Sequence, residues 1–170
     1  MGISLPSNNI ILIGFMGSGK SSVGRALAKK IGFMFLDSDT LIEDFENRKI
    51  SDIFDKDGES YFRALESKVT QWFQENIQRT VVATGGGLPI QNELSSKSKV
   101  IYLYADFDII KSRLTDAESA KRPLFSDLSK AKDLYEKRHI IYEKKADYMV
   151  DVNAPIDKIT DAIIDLLSNS

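Results

Sequence analysis

Ile10-Ile11-Leu12-Ile13-Gly14-Phe15-Met16-Gly17-Ser18-Gly19-Lys20-Ser21 is the stretch that decides the fold. Four apolar residues ending at a glycine read as a short strand buried on both faces, as in a parallel sheet. Gly14 to Ser21 then match G-x-x-x-x-G-K-[ST], the phosphate-binding loop. From Lys20 to Ile31 the spacing turns helical, with Val23, Leu27 and Ile31 on one face. Strand, glycine loop and helix in that order are the context the motif requires. Its chemistry follows from the residue types. Backbone amides of Gly17, Ser18, Gly19, Lys20, Ser21 and Ser22 can surround phosphate oxygens at the positive end of the helix. Lys20 can reach the β- and γ-phosphates of a nucleotide, and Ser21 offers a hydroxyl to Mg²⁺. A dinucleotide fingerprint would need a third glycine where Ser22 stands, so that reading fails.

Outward from this loop the same alternation continues. Phe33–Leu36, Val81–Ala83, Val100–Tyr104 and Tyr148–Val152 are further short apolar runs, expected as buried strands. Helical stripes separate them. Phe62, Leu65, Val69, Trp72 and Phe73 share a face within Glu59–Gln74, and Leu128–Lys145 and Ile156–Leu167 show similar spacing. Repeated strand–helix units predict a doubly wound α/β domain with right-handed crossovers. Two segments interrupt it. Thr40–Ser60 is charged, with a break at Asp57-Gly58, and Thr115–Phe125 is a polar loop between two helices where a mobile flap could sit.

The chain has 170 residues, 42% hydrophobic and 28% charged, with no Cys, which fits one domain of residues 1–170. Without Cys there is no disulfide framework, thiolate nucleophile or cysteine zinc site. A formal charge of −2 argues against a nucleic-acid scaffold or a polybasic membrane binder. No apolar run approaches the length of a membrane-spanning helix, and the first residues carry no signal-peptide pattern, so a cytoplasmic protein is expected.

A nucleotide site needs a carboxylate near the metal, at the end of an apolar strand. Asp37 and Asp106 both qualify by pattern. Asp106 precedes Phe107-Asp108-Ile109-Ile110, where helix capping accounts for it. Asp37 belongs to Asp37-Ser38-Asp39, and two carboxylates two residues apart allow one to face Mg²⁺ or its waters and the other a hydroxyl to be phosphorylated. Asp37 also suits the N-cap of a helix over Thr40–Arg48. Thr84-Gly85-Gly86-Gly87 follows a strand, at the carboxyl end where ligands bind in open α/β sheets.

Gly14–Ser21, Asp37-Ser38-Asp39, Phe62-Arg63-x-x-Glu66, Gly85-Gly86-Gly87 and Arg122-Pro123-Leu124, taken together, resemble the shikimate kinase family. The likeness runs from about Asn9 to Leu167. It implies a three-layer α/β/α fold of P-loop NTPase type, with a five-stranded parallel sheet in the order 2-3-1-4-5. It also implies a substrate-binding insertion at about 38–62 and a lid at about 115–125. The implied reaction is transfer of the γ-phosphoryl group of ATP to the 3-hydroxyl of shikimate with Mg²⁺, by a monomer.

Carried over residue by residue, the resemblance makes Lys20 the phosphate-binding lysine and makes Ser21 and Asp37 the Mg²⁺ ligands, Asp37 through water. Asp39 becomes the group that holds and activates the acceptor. Arg63 and Arg138 match the arginines that clamp the substrate carboxylate, with Gly86 and Gly87 giving backbone contacts. Arg122 matches the lid arginine on the transferring phosphate, Arg113 the one beside adenine, and Pro155 a residue packing on the base. Asn153-Ala154 departs from the family, which often carries a basic residue there. His139 reads as packing or surface, and Trp72 as core.

Other P-loop kinases, acting on gluconate or a nucleoside monophosphate, share the first motif but should lack the glycine run together with Arg63 and Arg122-Pro123. A switch GTPase would need a guanine-reading Asn-Lys-x-Asp, which is not found. A non-catalytic shikimate-binding relative would be expected to lose Lys20, Asp37 or Asp39.

Overall fold

A computed structural model describes residues 8–115 and 127–169 of the chain. Five strands form one parallel sheet: β1 (Ile10–Ile13), β2 (Met34–Asp37), β3 (Thr80–Ala83), β4 (Lys99–Tyr104) and β5 (Tyr148–Asp151). Their order is β2-β3-β1-β4-β5, as the resemblance implies. The helices are α1 (Lys20–Ile31), α2 (Ser38–Glu46), α3 (Ile50–Asn76), α4 (Leu88–Gln91), α5 (Phe107–Thr115), α6 (Leu128–Lys145) and α7 (Ile156–Ser168). Parallel neighbours cannot be joined by tight turns, so each strand returns through a helix across the sheet.

The central strands are buried throughout: Ile10, Ile11, Leu12, Ile13, Val81 and Val82 are all inaccessible to solvent. Val23 and Leu27 of α1, Phe73 of α3 and Ile163 of α7 close over them. Asn9 fastens the far end of this core. Its side chain donates to the carbonyls of Phe73 (3.3 Å) and Ile77 (2.9 Å) and accepts from the Thr80 amide, tying the end of α3 to β1 and β3.

Two expectations are corrected. The strands are not all covered on both faces: β2 and β5 are the sheet edges, and Met34 and Met149 stand exposed. An edge strand lacks a neighbour on one side and can leave apolar residues open to water. Trp72 is not core. It is 42% exposed on α3, beside Phe45 of α2, whereas Phe62, Leu65, Val69 and Phe73 are buried. The stripe is wider than the sheet it covers, so its margin falls on the helix–helix surface. The break expected at Asp57-Gly58 is present as a kink in α3, with Gly58 at φ 81° and ψ 176°.

Parallel register brings the sequence signals together. Leu12 and Asp37 both pair with Ala83, so β1, β2 and β3 end at one level. The Gly14 loop, the Asp37–Asp39 segment and the Gly85–Gly87 run therefore leave the same carboxyl edge side by side, where open α/β sheets hold their ligands.

Candidate active site

The cleft at that edge is lined by Gly17, Gly19, Lys20, Ser21 and Ser22 on one wall and by Asp37, Asp39, Thr84, Gly85 and Gly86 on the other. Gly19 caps α1 in the left-handed region (φ 86°), which turns the loop so that the helix opens directly onto the cleft. Ser18 is buried, with a hydroxyl that has no protein partner. The Lys20 ammonium donates to the carbonyls of Gly14 (2.8 Å) and Phe15 (2.9 Å), which fixes its stem along the loop it is to serve.

Asp37 caps a helix, and its geometry is compatible with the metal reading as well. One carboxylate oxygen caps α2, accepting from the amides of Asp39 (3.0 Å) and Thr40 (3.2 Å). The other accepts from the Ser21 hydroxyl at 2.5 Å. A hydroxyl and a carboxylate oxygen thus converge at the mouth of the phosphate loop. Hard oxygen donors in this small number suit Mg²⁺, which takes its remaining ligands from phosphates and water. Asp106, the rival by pattern, instead accepts from the Tyr104 hydroxyl.

Asp39 lies in the first turn of α2 with one carboxylate oxygen buried and without a hydrogen-bond partner. Burial pushes its carboxyl up to about 6, helped by the neighbouring charges of Asp37 and Glu66 and opposed by Lys20. Gly85 explains how it fits. A Cβ at residue 85 would collide with Asp39 Oδ1, so only glycine admits the carboxylate there. The Gly85 amide donates to the Ser38 hydroxyl (2.9 Å), which locks α2 to the end of β3.

Arg63 and Arg138 approach the same glycine run from two helices. Arg63 lies against Gly87, close enough that a Cβ there would strike its guanidinium. It donates to Glu66 at 2.6 Å and to Glu59 at 3.2 Å. Glu66 is buried, which pushes its carboxyl above the ordinary value, while Arg63 and Arg138 pull it down. Arg138 lies beside Gly86 and over the ring of Phe15 (5.9 Å). Two guanidinium groups facing one side of a cleft suit a carboxylate that binds bidentately.

Arg113 donates to the carbonyls of Val152 (2.8 Å) and Gly17 (3.4 Å), bridging the phosphate loop and the segment after β5. Pro155 begins α7 at the exposed end of that segment. Arg122 and the loop expected as a lid lie outside the described residues, although α5 and α6 flank them as anticipated. His139 packs among tyrosines, bonded to the Tyr102 hydroxyl (2.9 Å) and stacked on Tyr135. The structure adds Ser38, Phe15 and Tyr142, none of which reasoning on the sequence gave a role. Ser38 stood in view between two aspartates, but nothing local signals that its hydroxyl meets Gly85.

Residues 16–168 match the family model described as shikimate kinase. The shikimate kinase of Helicobacter hepaticus is 44% identical over 159 residues, covering 94% of this chain and 95% of that protein. The solved structure of shikimate kinase from Acinetobacter baumannii in complex with shikimate superposes with a TM-score of 0.86 at 34% identity, covering 99% of this chain and 96% of the other. A gluconokinase from Sinorhizobium meliloti shares the fold alone, at 18% identity and a TM-score of 0.56, over 97% of this chain and 94% of its own. With motif order, sheet order and cleft in agreement with these likenesses, the chain belongs to the shikimate kinase family.

Proposed function

We propose that this chain transfers the γ-phosphoryl group of ATP to the 3-hydroxyl of shikimate, giving shikimate 3-phosphate and ADP. The observation that carries the reading is the cleft itself. A phosphate loop forms one wall, and Asp39, two arginines and a glycine run stand opposite within reach of a single small acid.

The phosphate loop amides and Lys20 hold the β- and γ-phosphates, Lys20 exchanging its loop carbonyls for phosphate oxygens. Ser21 and Asp37 would hold Mg²⁺, which when bound neutralises charge on the phosphates. Arg63 and Arg138 clamp the substrate carboxylate, with Gly86 and Gly87 as backbone contacts. That leaves the ring hydroxyls facing Asp39. As the acceptor oxygen bonds to the γ-phosphorus and the bond to the bridging oxygen of ADP breaks, the hydroxyl proton passes to Asp39. Arg113 and Pro155 border the base, and Arg122 on the lid covers the transferring phosphate, excluding water that would otherwise hydrolyse ATP. Asn153-Ala154 offer the base no cation, and Arg113 supplies one beside that segment.

On this reading residues 38–62 form the acceptor-binding insertion and 115–125 the lid of a single domain with its core at about 9–167. The enzyme works as a monomer in the cytoplasm; no described helix is long and apolar enough to cross a membrane.

ADP release with shikimate, gluconate and AMP as acceptors tests the choice of substrate. Turnover with shikimate at least about a hundredfold above the other two is expected, equivalent to about 3 kcal/mol in transition-state binding. Preference for gluconate or AMP would overturn it.

A further inference from the structure

The glycine run that faces the acceptor has no side chains with which to hold itself in place. Tyr142 supplies one. It lies on α6 one turn beyond Arg138, is fully buried, and donates its hydroxyl to the Gly86 carbonyl at 2.6 Å. Burial pushes that hydroxyl up to about 12 against the pull of the adjacent Arg138 guanidinium, so it remains a donor at neutral pH. Arg138 and Tyr142 flank the same residue: a Cβ built on Gly86 would lie 3.2 Å from an Arg138 guanidinium nitrogen and 3.5 Å from the Tyr142 oxygen. A trans peptide sends its carbonyl and the following N–H in opposite directions. Fixing the Gly86 carbonyl therefore also fixes the direction of the Gly87 N–H, and Arg63 lies against the Cα of that same glycine.

We infer that Tyr142 is a positioning residue for the acceptor site, orienting the Gly86–Gly87 peptide and, through its contact with Arg138, one arm of the carboxylate clamp. The inference rests on the reading of this cleft as the shikimate site. The groups Tyr142 engages are Gly86, Arg138 and Tyr102, none of which belongs to the phosphate loop. Its effect should fall on the acceptor and spare the nucleotide.

Tyr142→Phe keeps the ring in the core and removes only the hydroxyl. Steady-state kinetics of the variant should show KM for shikimate raised about threefold to tenfold, the worth of one neutral hydrogen bond, with KM for ATP within about twofold of the parent. An unchanged shikimate KM, or equal rises in both constants, would overturn the role. Amide spectra of the labelled protein without substrates give an independent reading. A shift of the Gly87 N–H resonance in Tyr142→Phe supports the orientation, and an unmoved resonance refutes it. Should the parent fail to turn over shikimate, the reading of the substrate fails, while the amide spectrum still decides whether Tyr142 sets this peptide.

Discussion

Asp39 concentrates the chemistry at the scale of a single residue. A carboxyl taken from water into a cleft beside two other acids resists ionisation, and Asp39 sits at about 6 instead of the ordinary 3.8. The consequence for stability has a definite sign. The folded chain holds this proton more tightly than the unfolded chain, so the contribution is fully present below the unfolded value and is lost as pH rises from about 4 to about 6. In metal-free protein, Asp39→Asn should remove that loss. Urea unfolding at pH 7.5 should show the variant more stable by an amount on the order of 1–3 kcal/mol, and the gain should vanish near pH 4. Equal gains at both pH values would contradict a charge-based origin. The same substitution should leave ATP affinity intact while lowering kcat by about 10²–10⁴, because a positioned base is lost. A loss below about threefold would mean that Asp39 only orients the acceptor. The sequence made this residue visible through its partner: two acids two positions apart after a strand are hard to explain as one cap. It did not reveal the fit against Gly85, which depends on strands 46 residues apart ending at one level.

Among the elements, α1 and α6 were legible to the residue, since each begins and ends where its stripe does. The edge strands were less so. A four-residue apolar run reads alike in the centre and at the margin of a sheet, and only the pairing order separates Met34, exposed, from Ile10, buried. Trp72 failed for the same reason, because spacing places it on a stripe without telling how far the covering surface extends. Tyr142 shows the opposite limit: its burial follows from helical spacing, but its bond to a carbonyl in another segment does not. The kink of α3 carries its own expectation. Gly58 occupies a region of backbone space that side chains disfavour, directly after Asp57, which pairs with Arg48 (2.5 Å) on the N-terminal side of the bend. Gly58→Ala should therefore lower unfolding stability by about 1–3 kcal/mol in urea. An unchanged midpoint would show that the bend can form elsewhere.

Over the whole molecule, a nearly neutral chain sets arginines and carboxylates together at one cleft. Of its seven arginines, Arg63, Arg113 and Arg138 gather around the sheet's carboxyl edge, while most of the sixteen lysines lie elsewhere. Parallel strand order does this, because it sends the ends of β1, β2 and β3 to one side and brings α3 and α6 over them. The fold was readable because the phosphate loop and the strand–helix rhythm are local signals. The acceptor side was readable only through the combination of motifs, since an arginine on a helix is by itself an ordinary surface charge. The central claim is that this cleft makes an ester of shikimate, and the product tests it most directly. After incubation with ATP, Mg²⁺ and shikimate, phosphorus and proton magnetic resonance should show a phosphomonoester coupled to the proton on carbon 3, formed in step with ADP. Unmodified shikimate, alone or beside free inorganic phosphate, would contradict it.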